Sequence, residues 1–363
     1  MTQIDNVSTA DEFKTTYHKY ISKKVLFVAI CIVVSIVAIG LELSIGAYDV
    51  SFVDSYKALF DHILGNVPAD ELGRGVDHIV WDLRLPRSIV GFAAGVVLGV
   101  CGAAMQSSMK NPLADPYTTG ISSGASFGAA LALILGFSIL PGAFGDTALV
   151  LNAFVFSLIP AALIVVVSMF KKDISPTSMI LIGISVMYFF TAATTLLKLT
   201  ASEESLSEIY IWSIGTIGKA SWDNVAIIVL AAVVGVVLIQ MLAKKLNVVA
   251  MCDRDAISLG VNAKRVRLVS LLIVSLVTAT IVPFTGTIGF IGLIAPHVAR
   301  LFLGSDDKYL IPASAAFGAM LLLCSDCVAK SIGTGLPVGV ITAVLGGPLF
   351  LYLLIKQAKK YSW

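Results

Sequence analysis

The chain has 363 residues, of which 57% are apolar and 13% are charged, and its mean hydropathy is +0.92. Soluble domains carry about 25% charged residues, so this composition excludes an ordinary soluble globular protein. The formal net charge of +2 gives no indication of a nucleic-acid-binding surface. Apolar runs of about 20 residues, long enough to cross a bilayer as a helix, recur along the chain. We therefore predict an all-α membrane protein that crosses the bilayer several times.

These apolar runs predict about ten membrane-spanning helices. The first run is too long for the core of a signal peptide and reaches Glu42 rather than a small-residue cleavage site, so we interpret it as a retained span. Residues 1–24 are predicted to form a cytoplasmic N-terminal extension, and residues 25–360 a single transmembrane domain. The predicted spans are 25–45, 88–108, 118–137, 148–170, 177–199, 223–243, 267–283, 289–303, 309–326 and 339–356.

The distribution of basic residues predicts the orientation of the spans in the lipid bilayer. Cytoplasmic loops of membrane proteins carry an excess of lysine and arginine. With both termini in the cytoplasm and alternating spans, 18 of the 25 basic residues lie on the inside. We therefore predict a multi-pass protein of the cell membrane, with a long external segment at 46–87 and its longest internal loop at 244–266.

Two helices within residues 81–128 are predicted to pack closely against their neighbours. Each carries glycine at every fourth position, a spacing that lets helix backbones approach each other in a membrane. Arg84 and Arg87 stand at the edge of the first helix. The glycines are Gly91, Gly95 and Gly99 in the first helix and Gly120, Gly124 and Gly128 in the second.

A polar turn joins these two helices. Residues 110–116 read Lys-Asn-Pro-Leu-Ala-Asp-Pro. Lipid does not tolerate such irregular backbone unless the backbone lines a cavity. The turn is therefore predicted to line a pathway through the protein. Met105 and Gln106, just before the turn, are predicted to face the same pathway, although packing in the core explains them equally well.

The internal loop 244–266 contains the pattern of a short helix followed by a turn. Asp253 to Leu259 is predicted to form an amphipathic helix, which Gly260 ends in a left-handed conformation. Residues 261–263 then begin another helix. A short helix of this kind suits insertion into a groove on a soluble partner. The alternative is a plain cytoplasmic connection.

The chain has no recognisable source of energy for transport and no site for chemistry. It contains no P-loop, and its spans carry almost none of the ionisable residues that proton-coupled and sodium-coupled carriers place in the membrane. Cys324 and Cys327 lack a second ligand pair, and His297 lacks a partner as a haem ligand. We therefore predict no catalytic residues, no cofactor and no metal site, and we expect a partner to supply the energy.

Four motifs occur together in the two halves of the chain. They are Arg-Leu-Pro-Arg at 84–87, Asn-Pro-Leu-Ala-x-Pro at 111–116, Gly-Thr-Ile-Gly-Phe-Ile-Gly at 286–292 and Leu-Pro-Val-Gly at 336–339. In combination they resemble the FecCD-type permeases, the membrane subunits of ABC importers for iron–siderophore complexes, haem and cobalamin. The resemblance implies the type II ABC importer architecture, with ten helices in each permease. It also implies a second permease subunit, identical or paralogous, with two ATPase subunits inside and a substrate-binding protein outside.

The resemblance implies import of a metal chelate, with a ferric siderophore as the leading cargo and haem or a cobalamin-type corrinoid as the alternative. A secondary transporter that works alone is less favoured, because the spans lack ionisable residues. The pathway walls of such permeases hold no strong binding site, so the permease sequence does not identify the cargo.

The resemblance also implies roles for individual residues. Arg84, Arg87 and Lys330 match basic positions that dock the binding protein, although the arginines alternatively anchor a helix at the membrane surface. Lys330 replaces the arginine that is usual in the family, and Gly335 stands where the family has an acidic residue.

On the cytoplasmic side the resemblance implies a gate and a site for the ATPase. The gate positions are Asn111, Leu113, Thr177 and Ser178, for which a simple turn and helix N-capping are the alternatives. The residues assigned to ATPase coupling are Asp253, Asp255, Ala256, Leu259, Gly260, Val261 and Asn262.

Overall fold

The structure is a computed structural model that describes residues 10–66, 70–171, 174–251, 253–333 and 335–361. Every regular element within these ranges is helical, which confirms the all-α prediction. A π-helical segment, Ile79–Arg84, and a 3-10 turn, Tyr117–Thr119, accompany the α-helices. The α-helices are α1 (Ala10–Ser44), α2 (Phe52–Ile63), α3 (Glu71–His78), α4 (Leu85–Met109), α5 (Ile121–Leu135), α6 (Gly145–Phe170), α7 (Pro176–Lys198), α8 (Glu203–Ile214), α9 (Trp222–Ala250), α10 (Asp253–Ser258), α11 (Ala263–Thr285), α12 (Ile291–Leu303), α13 (Asp307–Ile332) and α14 (Val338–Tyr361).

Ten apolar helical segments match the ten predicted spans one to one. Seven of them are long and apolar enough to cross a membrane. Three shorter ones, Ile121–Leu135, Ile291–Leu303 and Val338–Tyr352, match the predicted spans 118–137, 289–303 and 339–356. The multi-pass helical architecture follows from this set.

Three helices lie in segments that were predicted to be loops. These are α2 and α3, between the first two spans, and α8, before α9. Each begins at a side-chain cap, since Ser51, Asp70 and Ser202 each accept a hydrogen bond from a backbone amide three residues later. Such caps are a sequence signal for a helix start. These capping residues are visible in the sequence, but the apolar pattern that follows each of them is too short to indicate a membrane span.

The glycine stripes pack as predicted. A methyl group at Gly95 would lie 2.5 Å from the carbonyl oxygen of Gly318 and 2.7 Å from the Cα atom of Ala319, so α4 and α13 touch through their backbones. In the second stripe, Gly124 and Gly128 lie against backbone carbonyls of α6. Such close approach maximises van der Waals contact between the helices. This contact matters in a membrane because the hydrophobic effect does not favour helix association there.

The helical bundle has two ends that contain different elements. The Arg84 end contains the last turn of α1, the start of α4 and the last turn of α13. The α10 end contains the last turn of α4 and the starts of α11 and α13. At the α10 end, the Asn247 side chain bonds the Asp306 carboxylate at 2.7 Å and the backbone amide of Asp307 at 2.8 Å, which joins the end of α9 to the start of α13.

Candidate functional site: a short surface helix, a turn and a charged cluster

The predicted helix and turn are confirmed, but the predicted loop 244–266 is too long, because α9 continues to Ala250 and α11 begins at Ala263. Gly260 has φ +74° and follows α10. Its amide donates to the carbonyl of Ile257 at 2.9 Å, and the Val261 amide donates to that of Ala256 at 2.8 Å. This pair of bonds is the Schellman motif, which ends a helix at a left-handed glycine. Asn262 then caps α11 by accepting from the Arg265 amide at 2.9 Å.

The short helix α10 presents an apolar surface outward. Ala256 is fully buried and fixes α10 on the bundle. Ile257 and Leu259 are 70% and 64% exposed, and Asp255 is also exposed. Exposed apolar side chains on a short surface helix suit a groove on another protein.

A charged triad joins α10 to the ends of two spans. The Asp253 carboxylate accepts from Lys110 Nζ at 2.6 Å and from both terminal nitrogens of Arg267 at 2.6 and 2.9 Å. The Arg267 side chain is only 2% exposed, and its Nε donates to the carbonyl of Ser108 at 3.0 Å. Two-pronged arginine–carboxylate pairs are strong and fix orientation. The triad therefore ties α10 to the last turn of α4 and to α11.

The negative charge of Asp253 persists in mild acid. The hydrogen bonds from Arg267 and then from Lys110 hold the pKa of Asp253 well below its ordinary value. A carboxyl whose pKa is lowered by folding stabilises the fold above its unfolded pKa, and this contribution is lost only as the pH falls through the folded pKa. Asp253 is consequently ionised at any pH near neutrality.

The predicted gate turn is exposed in one half and buried in the other. Lys110 adopts a left-handed backbone conformation with φ +50°. Asn111 Oδ1 accepts from the Leu113 amide at 2.9 Å, and Leu113 is 44% exposed. Ala114 and Asp115 are buried beneath it. Only the half from Lys110 to Leu113 therefore reaches the surface, directly beside the triad.

The other predicted gate residues lie at the start of α7. Thr177 is exposed and Ser178 is half-buried. The N-cap is Ser175, whose Oγ accepts from the Ser178 amide at 3.1 Å, so capping falls on a neighbouring serine rather than on these two residues. An open cleft of about 770 Å³ separates the start of α7 from α10 and is lined by Ser175, Pro176, Asp253, Ile257, Gly260 and Arg267, among others.

Met105 and Gln106 do not reach the surface of the chain. Met105 is fully buried and Gln106 is 3% exposed. Gln106 Nε2 donates to the carbonyl of Leu293 at 3.2 Å, and its Oε1 accepts from Arg300 at 2.9 Å. Both side chains pack inside the subunit. This burial favours the core-packing alternative over the pathway prediction, because a side chain with almost no exposed surface does not contact a passing ligand.

At the Arg84 end, Arg84 is 7% exposed, and its guanidinium forms hydrogen bonds with backbone carbonyls of the same chain. It donates to the carbonyls of Leu43 at 2.6 Å and Ser44 at 2.7 Å, and also to that of Tyr48. The last carbonyls of a helix have no partner within it. Arg84 therefore caps the end of α1.

Arg87 and Lys330 meet in a cluster that the sequence did not reveal. Arg87 binds the fully buried Asp326 carboxylate through two bonds of 2.9 and 2.7 Å, and Lys330 lies 3.5 Å from the same carboxylate. Lys330 Nζ also donates to the Glu42 carbonyl at 3.3 Å. The Arg87 side chain is 20% exposed and that of Lys330 only 9%. Arg87 is thus the most accessible of the three predicted docking cations.

His297, Cys324 and Cys327 occupy packing positions. His297 is 5% exposed, and its ring meets that of Phe350 edge-on at 6.2 Å. Cys327 donates to the carbonyl of Ala38 at 3.4 Å, and Cys324 is a free thiol. Among the residues that the structure describes, no three potential ligands from histidine, cysteine, aspartate and glutamate form a group that would hold a metal ion.

Comparison with known proteins gives one consistent result. Residues 30–356 match the FecCD transport family. An iron(3+)-hydroxamate import system permease, FhuB of Bacillus subtilis, is 32% identical over 99% of this chain and 90% of its own length. The cobalamin import system permease BtuC of Halobacterium salinarum is 37% identical over 76% of this chain and 73% of its own length.

A solved structure agrees with these relatives. It shows a metal-chelate type ABC transporter in an inward-facing conformation. The two structures superpose with a TM-score of 0.78 at 26% sequence identity, over 91% of this chain and 98% of the other.

Proposed function

Because the chain belongs to the FecCD transport family, we propose that it is the transmembrane permease subunit of an ATP-binding-cassette importer for a metal chelate. The observation that carries the proposal is the family match over nearly the whole chain, together with relatives that are import permeases. A transport permease binds and guides its cargo without chemical conversion, and a separate ATPase chain hydrolyses ATP. The leading cargo is a ferric siderophore, supported by the iron-hydroxamate relative. The alternative is a haem or corrinoid cargo, supported for corrinoids by the cobalamin relative.

The proposed ATPase site is the outward surface of α10. Ile257 and Leu259 are available to a groove on the ATPase, and Gly260 and Asn262 border them. With α10 in the cytoplasm, both termini lie inside and the Arg84 end faces outward, as the positive-inside rule favours. A second permease subunit, identical or paralogous, completes the pathway.

The triad supplies a route from the ATPase site to the proposed gate. Lys110 binds Asp253 of α10 and is the first residue of the turn that carries Asn111 and Leu113. A displacement of α10 by the ATPase therefore pulls on the turn that carries these two residues. Ser175 and Pro176 line the cleft opposite α10, and Thr177 and Ser178 follow them at the start of α7 as the second part of the proposed gate.

Co-purification with an ATPase tests the proposed function. The chain is expressed with the ATP-binding-cassette subunit and the substrate-binding protein from neighbouring genes, and the complex is reconstituted in nanodiscs. We expect a stable complex whose ATP hydrolysis rises several-fold when loaded binding protein is added. The proposal would be contradicted if the ATPase did not associate with the chain, or if the rate of ATP hydrolysis did not change when the binding protein was added.

Replacement of Gly260 by leucine is expected to uncouple ATP hydrolysis from transport. The left-handed backbone strains any L side chain by about 1–2 kcal/mol, and the new side chain projects into open space on the proposed ATPase site. Gly136→Leu is the matched control, because Gly136 ends α5 in the same left-handed conformation, with φ +61° and ψ +16°, and also has open surroundings. Uptake per ATP hydrolysed should fall only in Gly260→Leu. Equal uptake ratios in the two variants would remove α10 from the coupling site.

Replacement of Arg87 by alanine is expected to weaken binding-protein docking by about threefold to tenfold at low salt, the range for partly exposed interfacial charges. Arg87→Lys keeps the charge beside Asp326 and should retain more affinity. Arg74→Ala, which removes an exposed cation on α3, is the control. Affinity is measured by surface plasmon resonance at two salt concentrations. If Arg87→Ala binds like Arg74→Ala, the role of Arg87 is confined to the internal pair with Asp326.

A further inference from the structure

One face of α2 is apolar and exposed, which is unusual for a loop segment that lies in water. Successive helical residues are rotated by about 100°, so the exposed side chains of Phe52, Val53, Phe60, Ile63 and Leu64 fall within an arc of about 120°. Their exposed fractions are 41%, 73%, 59%, 61% and 71%. Soluble surfaces seldom present so many neighbouring large apolar side chains, which usually mark a contact with another apolar phase.

The rest of the helix is polar or faces the bundle. Asp54, Lys57 and Asp61 lie on the side next to the apolar arc, between this arc and the bundle-facing residues. Ser55 and His62 lie on the side that packs against the protein, where Ser55 is fully buried. A helix with one apolar arc, one charged side and one packed side is typical of a helix that lies in the plane of a membrane interface.

The position of α2 along α1 identifies the apolar phase. Tyr56 Oη donates to the carbonyl of Ile36 at 2.9 Å, and the rings of Phe52 and Tyr56 cover Gly40. Ile36 lies eight residues before Ser44, the end of α1, which is about 12 Å along the helix axis. The helix α2 therefore folds back beside the span instead of extending away from it.

The surface that α2 joins is the lipid-facing side of α1. Val33, Ile36, Val37 and Leu41 are 40% to 59% exposed and belong to the candidate span Ile21–Ser44. The apolar arc of α2 continues this surface at the same depth.

Aromatic residues mark the same level of the bundle. The His62 ring stacks on Trp81 at 3.9 Å between centroids, and Trp222 donates from Nε1 to the carbonyl of Trp81 at 3.1 Å. Tryptophan is enriched where a membrane protein meets the lipid headgroups. His62 Nδ1 also lies 2.8 Å from Asp77 in α3.

We propose that α2 is an in-plane membrane helix, whose arc from Phe52 to Leu64 is embedded in the acyl region of the outer leaflet. Its partner is lipid, reached through apolar contact rather than through a specific headgroup. The bilayer then fixes the depth of His62. Because His62 stacks on Trp81, the bilayer also fixes the position of the segment that leads into Arg84. This role extends beyond transport by the family and places part of the segment predicted to be an external loop in the membrane.

Site-directed spin labelling tests the proposal in the intact protein. Phe60→Cys and Asp61→Cys are matched neighbours on the apolar arc and on the charged side. Each is labelled with a nitroxide in nanodiscs of phosphatidylcholine and phosphatidylglycerol, and the parent protein, labelled in parallel, gives the background of its own cysteines. We expect the label at 60 to collide with oxygen and to be about tenfold less accessible to a water-soluble nickel chelate than the label at 61.

Two outcomes would overturn the proposal. Equal access of the nickel chelate to both labels would place α2 in water. Protection of the label at 60 only after the substrate-binding protein is added would make the arc a protein-docking surface. Ile63→Cys and Asp54→Cys form a second matched pair, so the comparison remains available if Phe60→Cys folds poorly.

Discussion

Asp253→Asn is expected to reduce ATP-driven uptake by about tenfold while the associated ATPase remains active. The substitution removes the charge that pairs with Arg267, whose side chain is almost fully buried, and weakens the bond to Lys110. A buried cation that loses its counter-charge costs several kcal/mol when fully desolvated, and less here because Asp253 is itself half exposed. A loss of about 1–2 kcal/mol in the link between α10 and the gate turn corresponds to the expected reduction.

The control for Asp253→Asn makes the same chemical change outside the residues assigned to coupling. Asp223 is exposed and lies at the start of α9. Asp223→Asn should leave the ratio of uptake to ATP hydrolysis intact. Lys110→Met should lower that ratio as well, and the double variant with Asp253→Asn should be less than additive because the two residues share one contact. Full additivity, or normal coupling in Asp253→Asn, would exclude the triad as the link.

Gly95→Leu is expected to prevent stable folding. The new side chain would start 2.5 Å from the Gly318 oxygen and 2.7 Å from the Ala319 Cα atom, and both are backbone atoms. Side-chain repacking cannot relieve this overlap, so α4 and α13 must separate along their shared interface. Overpacking a close interface costs about 1–3 kcal/mol or more. The folded yield and the melting temperature in detergent are measured by size-exclusion chromatography with fluorescence detection.

The control for Gly95→Leu is Gly75→Leu in α3. No atom lies within 4 Å of a methyl group placed at Gly75, so this variant adds the same side chain without an overlap. It should fold with normal yield. A normal melting temperature for Gly95→Leu would show that α4 and α13 are further apart than the structure has them.

Features that depend on local sequence were predictable. Seven of the ten spans are apolar runs whose length alone indicates a membrane helix. Gly260 identified the end of α10 because a left-handed helix cap strongly favours glycine. The glycine spacing of α4 indicated close packing, although it did not identify α13 as the partner.

Features that depend on contacts between distant residues were not predictable. Lys110 and Asp253 are 143 residues apart, and Arg87 and Asp326 are 239 apart. Any basic residue near the end of a span can be explained by the excess of positive charge in cytoplasmic loops. The sequence therefore does not show which carboxylate such a residue binds, and the three-dimensional arrangement of the helices is needed to identify it. Arg84 looked like a membrane anchor or a docking residue, but the fold assigns its guanidinium to the carbonyls at the end of α1.

The helix α2 was missed for a different reason. Its apolar residues are spread over one face of a short helix between charged positions, so no window of residues is apolar enough to indicate a membrane element. The helix start at Ser51 was readable, but the neighbouring surface of α1 was needed to show what the apolar arc faces.

Uptake of a radioactive ferric hydroxamate siderophore into proteoliposomes tests the central claim, which is import driven by a partner ATPase. We predict accumulation only when the permease, its ATPase, ATP and the loaded binding protein are all present. Haem and cobalamin are assayed in parallel, and ATP-dependent uptake of either one would change the cargo without changing the mechanism. Accumulation of any of the three by the permease alone, without the ATPase or ATP, would contradict the account.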